Sequence, residues 1–219
     1  MGGVTELVVR IAKVRSSYDA LAEEYAKHIS GELDQRPVER DLLRRFAEQH
    51  RGRGVVCDLG CGPGHVARYV GQFHPDVIGL DLSWRSLLQA RQLKPEVLFL
   101  QGDMLALPFA SEELSGVISF YSIIHFDAPE VVVALAEMQR VLKKRGGLLL
   151  GFHVGTETVH ADEVFGVSVD LDAQFFIMED LASRLNKLGF SIIETIQREP
   201  YPEIEYQSVR GYIWAVRSG

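Results

Sequence analysis

Val55-Val56-Cys57-Asp58-Leu59-Gly60-Cys61-Gly62-Pro63-Gly64-His65 reads as a buried strand, a tight glycine turn and the first residue of a helix. A side chain at the turn would hold the backbone away from a bound ligand, and glycine removes that obstacle. The helix that follows offers unpaired N–H groups and the positive end of its dipole to a negative group. That group is either a dinucleotide pyrophosphate or the carboxylate of an amino acid. The dinucleotide fingerprint GxGxxG requires a third glycine where this chain has His65, and Gly64 falls one place early. The mismatch speaks against a nicotinamide dinucleotide.

Outward from the turn, Val77–Leu80, Val97–Leu100, Gly116–Phe120 and Leu148–Leu150 are further short apolar runs separated by helical stretches. Near-continuous apolar strands alternating with helices predict a parallel sheet covered on both faces. Ser83 caps a helix running to about Leu93, Asp127 caps one over Pro129–Leu142, and Gly189 stops one that begins near Met178. Two helices, roughly Ser17–Ile29 and Pro37–His50, precede the first strand. Ser191–Ile196 and Gly211–Val216 read as two strands paired antiparallel. Phe152–Ile177 has no helical period, and Val167–Leu171 within it reads as an extra edge strand. The expectation is one domain over residues 1–219, with 1–52 as a helical cap and 152–177 as a lid insertion.

At 219 residues the chain suits one sizeable α/β domain, and 47% hydrophobic with 24% charged residues excludes a disordered one. A net charge of -7 argues against binding driven by phosphate neutralisation. Arg44, Arg45, Arg51 and Arg53, and Lys143 to Arg145, read as solvated helix ends. Cys57 and Cys61 are too few for a disulfide framework and lack partners at zinc-binding spacing, so they read as half-buried free thiols. His153, His160, Asp162 and Glu163 are too irregularly spaced for a metal site. Arg10, Lys13, Arg15, Glu23 and Glu24 interrupt any signal-peptide core, and no apolar run approaches the roughly 20 residues of a bilayer span. The expectation is a cytoplasmic protein with no membrane or nucleic-acid partner, acting as a monomer or homodimer.

Asp81 ends the second strand, where a carboxylate accepts from ribose hydroxyls, and Asp103-Met104 follows the third, where a carboxylate and the next N–H meet the edge of an adenine. Three successive strand ends thus carry one ligand-facing feature each. With these residues in view, the sequence resembles class I S-adenosylmethionine (SAM)-dependent methyltransferases. Asp58 to Gly64 looks like their DxGxGxG motif, Asp81 matches their ribose acid, and Asp103 to Phe109 matches their D-x-x-x-L-P-F run. Tyr18 to Tyr25 fits the Y-D-x-x-A-x-x-Y segment that covers the cofactor in similar enzymes. The likeness covers about Tyr18 to Arg217 and is closest to the small-molecule branch that includes quinone-biosynthesis enzymes.

The resemblance implies an α/β, Rossmann-like, doubly wound fold: a mostly parallel seven-stranded sheet with a C-terminal antiparallel hairpin and an N-terminal helical cap. It implies SAM as cofactor, S-adenosyl-L-homocysteine as product, and a cofactor site formed by Tyr18, Tyr25, Arg36, Asp58, Gly60, Gly62, Gly64, Asp81, Leu82, Asp103, Met104 and Tyr121. Arg36 is the candidate partner of the SAM carboxylate. Methyl transfer is an in-line displacement, so positioning in a dry pocket is the main task, and an acceptor with a proton to lose needs a base. His125, after the fourth strand, and His153, after the fifth, are the candidates; packing of His125 beside the methionine moiety is the alternative. The leading reading is methylation of a small molecule. Methylation of protein or RNA, and SAM binding without catalysis, are the other readings.

Overall fold

The computed structural model describes residues 2–219, with side chains from Leu7 onward. Its strands are β1 (Val56–Leu59), β2 (Val77–Asp81), β3 (Leu98–Gln101), β4 (Leu114–Phe120), β5 (Leu142–His153), β6 (Thr158–Val164), β7 (Val167–Gln174), β8 (Phe190–Arg198) and β9 (Arg210–Arg217). A seven-stranded sheet runs in the order β3-β2-β1-β4-β5-β9-β8, and β6 pairs with β7 separately. β3 to β5 are parallel, and β9 lies antiparallel between β5 and β8. All of β1 and most of β4 are buried, as the unbroken apolar runs require of strands covered on both faces. The expected terminal hairpin is present.

The helices are α1 (Gly2–Ile29), α2 (Pro37–His50), α3 (His65–Val70), α4 (Trp84–Leu93), α5 (Ala128–Val141) and α6 (Met178–Lys187). Ser83 Oγ accepts the N–H of Ser86 at the start of α4, and Asp127 with Glu130 forms a reciprocal cap on α5. One core lies between the sheet and α5 with α6, built on residues such as Leu135, Met138, Leu148 and Leu181. A second, around Phe46, Val66, Leu87 and Phe99, lies between the opposite face and α2, α3 and α4.

Three sequence expectations need correction. α1 begins fifteen residues before the expected Ser17, because its N-terminal half is held by distant partners: Arg10 by Asp127 and Glu130, and Lys13 by Asp170 at 2.6 Å. Val167–Leu171 is no edge strand of the main sheet. It belongs to β7, whose partner is β6 in the two-stranded sheet. Phe165 and Gly166, both at positive φ, make the two-residue turn between them, the conformation that suits a tight hairpin. The hairpin buries Val169 and Leu171 against Leu21 of α1. Third, Cys57 and Cys61 are free as expected, but fully buried.

Arg44 and Arg45 are not merely solvated. Both pair with Asp41, and Arg45 also reaches Glu194 at 2.9 Å, while Arg51 and Arg53 are exposed. Among the described residues no helix is long and apolar enough to cross a membrane.

Candidate cofactor and acceptor cavity

Strand order reverses between β1 and β4, and the chain leaves both at their carboxyl ends, which opens a crevice there. Gly60 and Gly62, at φ +71° and +51°, form one lip; Tyr121 and Ser122 form the other. A Cβ on Gly60 would stand 2.3 Å from Ser122 Cβ, whereas one on Gly62 would meet only Tyr25 Cε1 at 3.8 Å. Gly60 therefore lets two strand ends approach each other, and Gly62 faces open cavity. α1 roofs the crevice into a cavity, to which it contributes Arg10, Ile11, Val14, Tyr18 and Tyr25.

Of the residues singled out from the sequence, Tyr18, Tyr25, Arg36, Gly60, Gly62, Asp81, Leu82, Asp103, Met104, Tyr121 and His125 line this one cavity. Asp81 Oδ2 accepts the N–H of Gly62 at 2.8 Å and Oδ1 that of Ser83 at 2.7 Å. Each oxygen keeps a lone pair for a ligand hydroxyl. Burial raises the Asp81 carboxyl above its ordinary value despite those two bonds. Asp103 Oδ1 accepts the Leu105 N–H at 2.8 Å, leaving Oδ2 for the ligand.

Asp58, Gly64 and His153 do not line the cavity. Asp58 is 2% exposed and its Oδ2 accepts the Ala67 N–H at 3.0 Å, tying β1 to the first turn of α3. Burial pushes its carboxyl up to about 7. Gly64 is the left-handed residue before α3, and a Cβ there would strike the Phe99 ring at 2.8 Å. His153 is walled in by Phe175, Ser208 and Arg210: its ring stacks on Phe175, and Arg210 Nη1 donates to Nδ1 at 3.0 Å. Burial and the Arg210 charge push it down to about 3, so it stays neutral at any ordinary pH.

His125 is held in one tautomer. Its Nδ1 lies 2.8 Å from the Asp172 carbonyl, which can only accept, so Nδ1 carries the proton. Nε2 is then an acceptor, and the Tyr18 hydroxyl donates to it at 2.8 Å. Burial lowers the imidazole below its usual value and raises the Tyr18 phenol well above its own. The pair is a neutral base with a neutral phenol aimed at it.

Arg36 is not a free cation waiting for a carboxylate. Its Nη2 pairs with Glu32 Oε2 at 2.9 Å, and Glu32 Oε1 also takes His65 Nε2 at 3.1 Å. Sequence reasoning missed Glu32, Glu39 and His65, which also line the cavity. Only the Glu32–Arg36 spacing of four carried a local signal. Tyr121 holds a positive φ of 53°, a strained conformation for a bulky residue, and its hydroxyl meets that of Tyr212 at 2.6 Å.

A doubly wound sheet with a glycine turn after β1, and acids after β2 and β3 converging on one cavity, defines the class I methyltransferase fold. Residues 56–146 match the family model described as a methyltransferase domain. From β1 into β5 the chain is thus similar to that methyltransferase-domain family. It is 32% identical over 136 residues to a malonyl-acyl-carrier protein O-methyltransferase of Enterobacter lignolyticus, covering 62% of this chain and 51% of that protein. It is 30% identical over 147 residues to a demethylmenaquinone methyltransferase of Renibacterium salmoninarum, covering 62% and 61%. The chain thus spans about half to three fifths of the length of these curated relatives. A probable tRNA methyltransferase of Mus musculus also matches. In fold, it superposes on magnesium protoporphyrin IX methyltransferase from Synechocystis PCC 6803 with bound SAM, at TM-score 0.73 and 19% identity over 95% of this chain and 97% of that one.

Proposed function

We propose that this protein methylates a small molecule in the roofed cavity, and that Tyr18 and His125 take the proton the acceptor gives up. The residues present fit the cofactor: Gly62 leaves its space open, Asp81 and Asp103 keep free lone pairs, and Leu82 and Met104 provide apolar walls. When bound, SAM supplies an electrophilic methyl group on a sulfonium. The protein orients the acceptor, excludes water and holds the proton. The acceptor's proton passes to the Tyr18 oxygen as the Tyr18 proton moves to His125 Nε2. The Asp172 carbonyl then faces the imidazolium at Nδ1.

The Tyr18–His125–Asp172 chain carries this reading, since it fixes an unprotonated nitrogen beside the cofactor residues. His153 is assigned no step. A small-molecule acceptor is supported by the largely apolar roof that Ile11, Val14, Tyr18 and Tyr25 of α1 form and by the net charge of -7. The cytoplasm, expected from the sequence, is the proposed setting.

The test is labelled SAM incubated with a metabolite extract and, separately, with a tRNA fraction, alongside S-adenosylhomocysteine calorimetry. Label in a small molecule supports the proposal. Label only in tRNA overturns the acceptor class, and cofactor binding with no transfer to either overturns catalysis. His125→Asn should lower kcat about 10²-fold or more with S-adenosylhomocysteine affinity retained. Unchanged kcat would remove His125 from the chemistry.

A further inference from the structure

Two basic segments far apart in the chain meet at the amino end of the sheet, opposite the cavity. Arg51-Gly52-Arg53-Gly54 links α2 to β1, and Lys143-Lys144-Arg145-Gly146 follows α5 in the irregular start of β5. Lys143 Nζ donates to the Arg53 carbonyl at 3.3 Å across 90 positions, and a Cβ on Gly54 would stand 2.6 Å from that same ammonium. Arg51, Arg53, Lys143, Lys144 and Arg145 therefore all lie within two residues of one contact, and all but Lys143 are exposed. None of them has an ion-pair partner among the described residues, although the chain carries 30 acidic side chains to 23 basic ones. Arg44 and Arg45, earlier on α2, and Arg217 are by contrast each paired. Like charges held together without counterions raise a local positive potential that an anionic partner relieves.

Shape and composition narrow that partner. Acids stand on the same edge of the sheet: Asp76, whose carbonyl accepts the Val56 N–H at 2.9 Å, precedes β2, and Glu112, before β4, takes Arg217 at 3.1 Å. The cations thus form a compact spot and not a stripe that could follow a nucleic-acid backbone. Neither segment holds an aromatic or large aliphatic side chain, and none of the protein's exposed large hydrophobics belongs to them. A nucleic-acid single strand needs aromatic platforms, and a specific protein interface needs apolar anchors; these segments supply neither. A bilayer of anionic lipids requires neither. It offers many equivalent headgroups in one plane, and each lysine or arginine near it adds to the attraction. The predominantly acidic remainder of the molecule turns away from such a surface.

We propose that Arg51, Arg53, Lys143, Lys144 and Arg145 dock this protein peripherally on an anionic lipid surface. β5 runs from Gly147 to His153 between the patch and the cavity edge, about 20 Å, so the docked protein holds its cavity away from the lipid.

The test is co-sedimentation of the full chain with vesicles of phosphatidylcholine alone, or with about one third phosphatidylglycerol, from low to high salt. Binding should appear on the anionic vesicles only and be lost as salt rises. Arg51→Gln/Arg53→Gln and Lys144→Gln/Arg145→Gln should each weaken it about tenfold or more, since two charges are removed each time. Arg15→Gln, at an exposed cation on α1, should not weaken it. S-adenosylhomocysteine affinity should stay that of wild type in all three variants, which separates the patch from the cofactor reading. Equal binding to both kinds of vesicle, or binding to neither, overturns the proposal. So does vesicle binding left unaltered by the two double variants, or reduced as much by Arg15→Gln. Tighter binding of a tRNA fraction than of anionic vesicles at the same salt would assign the patch to nucleic acid and overturn it as well.

Discussion

Gly60 and Gly62 differ in what an added methyl group would meet, so alanine at each should fail in a different way. At Gly60 a Cβ would sit 2.3 Å from Ser122 Cβ, with φ at +71°. The left-handed backbone costs about 1–2 kcal/mol for a non-glycine residue, and the overpacking about 1–3 kcal/mol. The sum, about 2–5 kcal/mol, corresponds to a Tm fall of roughly 4–20 °C for a domain of this size. Gly62 has φ +51° and only Tyr25 nearby at 3.8 Å, so Gly62→Ala keeps the backbone cost alone, roughly 2–8 °C. Its methyl group, however, points into the cavity, and S-adenosylhomocysteine affinity should fall about tenfold or more, ~1.4 kcal/mol. Ser122→Gly sacrifices the Ser122 Oγ bond to the Leu59 carbonyl at 3.0 Å, about 1 kcal/mol. It also removes the atom that the methyl group introduced by Gly60→Ala would strike, so Gly60→Ala/Ser122→Gly should be more stable than the sum of the single losses. Thermal unfolding of the four variants and calorimetry on each check this. Equal destabilisation at the two glycines, or strict additivity at Gly60 and Ser122, would refute the packing argument.

Asp81→Ala should abolish measurable S-adenosylhomocysteine binding and also lower stability by about 1–3 kcal/mol, since the Gly62 and Ser83 N–H groups lose their acceptor; urea unfolding beside calorimetry separates the two losses. Asp58 has its folded pKa raised to about 7, so the folded state holds its proton where the unfolded chain has released it, and wild type loses stability as pH rises from about 4 to 7. Asp58→Asn removes that term and should gain on wild type across that window, flat above it; a gap independent of pH would show Asp58 ionised when folded. His50 and His153, pushed down to about 4 and about 3 by burial, act oppositely, and the stability each contributes should be lost as pH falls below about 6.5, as unfolding followed from pH 7 to 4 would show. Glu205→Gln strips the carboxylate from between Arg198, Arg210 and Arg36 and should cost about 3–5 kcal/mol, read by chemical denaturation.

Much of the cofactor half was legible because its signals are local. The apolar run into Gly60, Ser83 and Asp127 as caps, and the spacing of Asp81 and Asp103 after their strands are properties of windows of a few residues. Sequence also bounds the chemistry, since a turn lacking its third fingerprint glycine does not suit a pyrophosphate. Asp58 shows the limit within the same motif: a strand-end acid reads alike whether it faces ligand or, as here, ties down α3.

The Glu39 cluster and the surroundings of the two histidines were decided by tertiary structure. Glu39 and Tyr212 meet across 173 positions, Tyr18 and His125 across 107. No periodicity records such pairs, because each partner is locally an ordinary polar residue on a helix or strand. Whether a histidine is a base depends on what holds its other nitrogen. For His125 that is the Asp172 carbonyl on a hairpin the sequence alone read as an edge strand, and for His153 it is Arg210, which keeps it out of the cavity. Local pattern set the elements and the donor motif; chain folding chose which side chains face the space between them, since only packing brings distant charges close enough to be buried together.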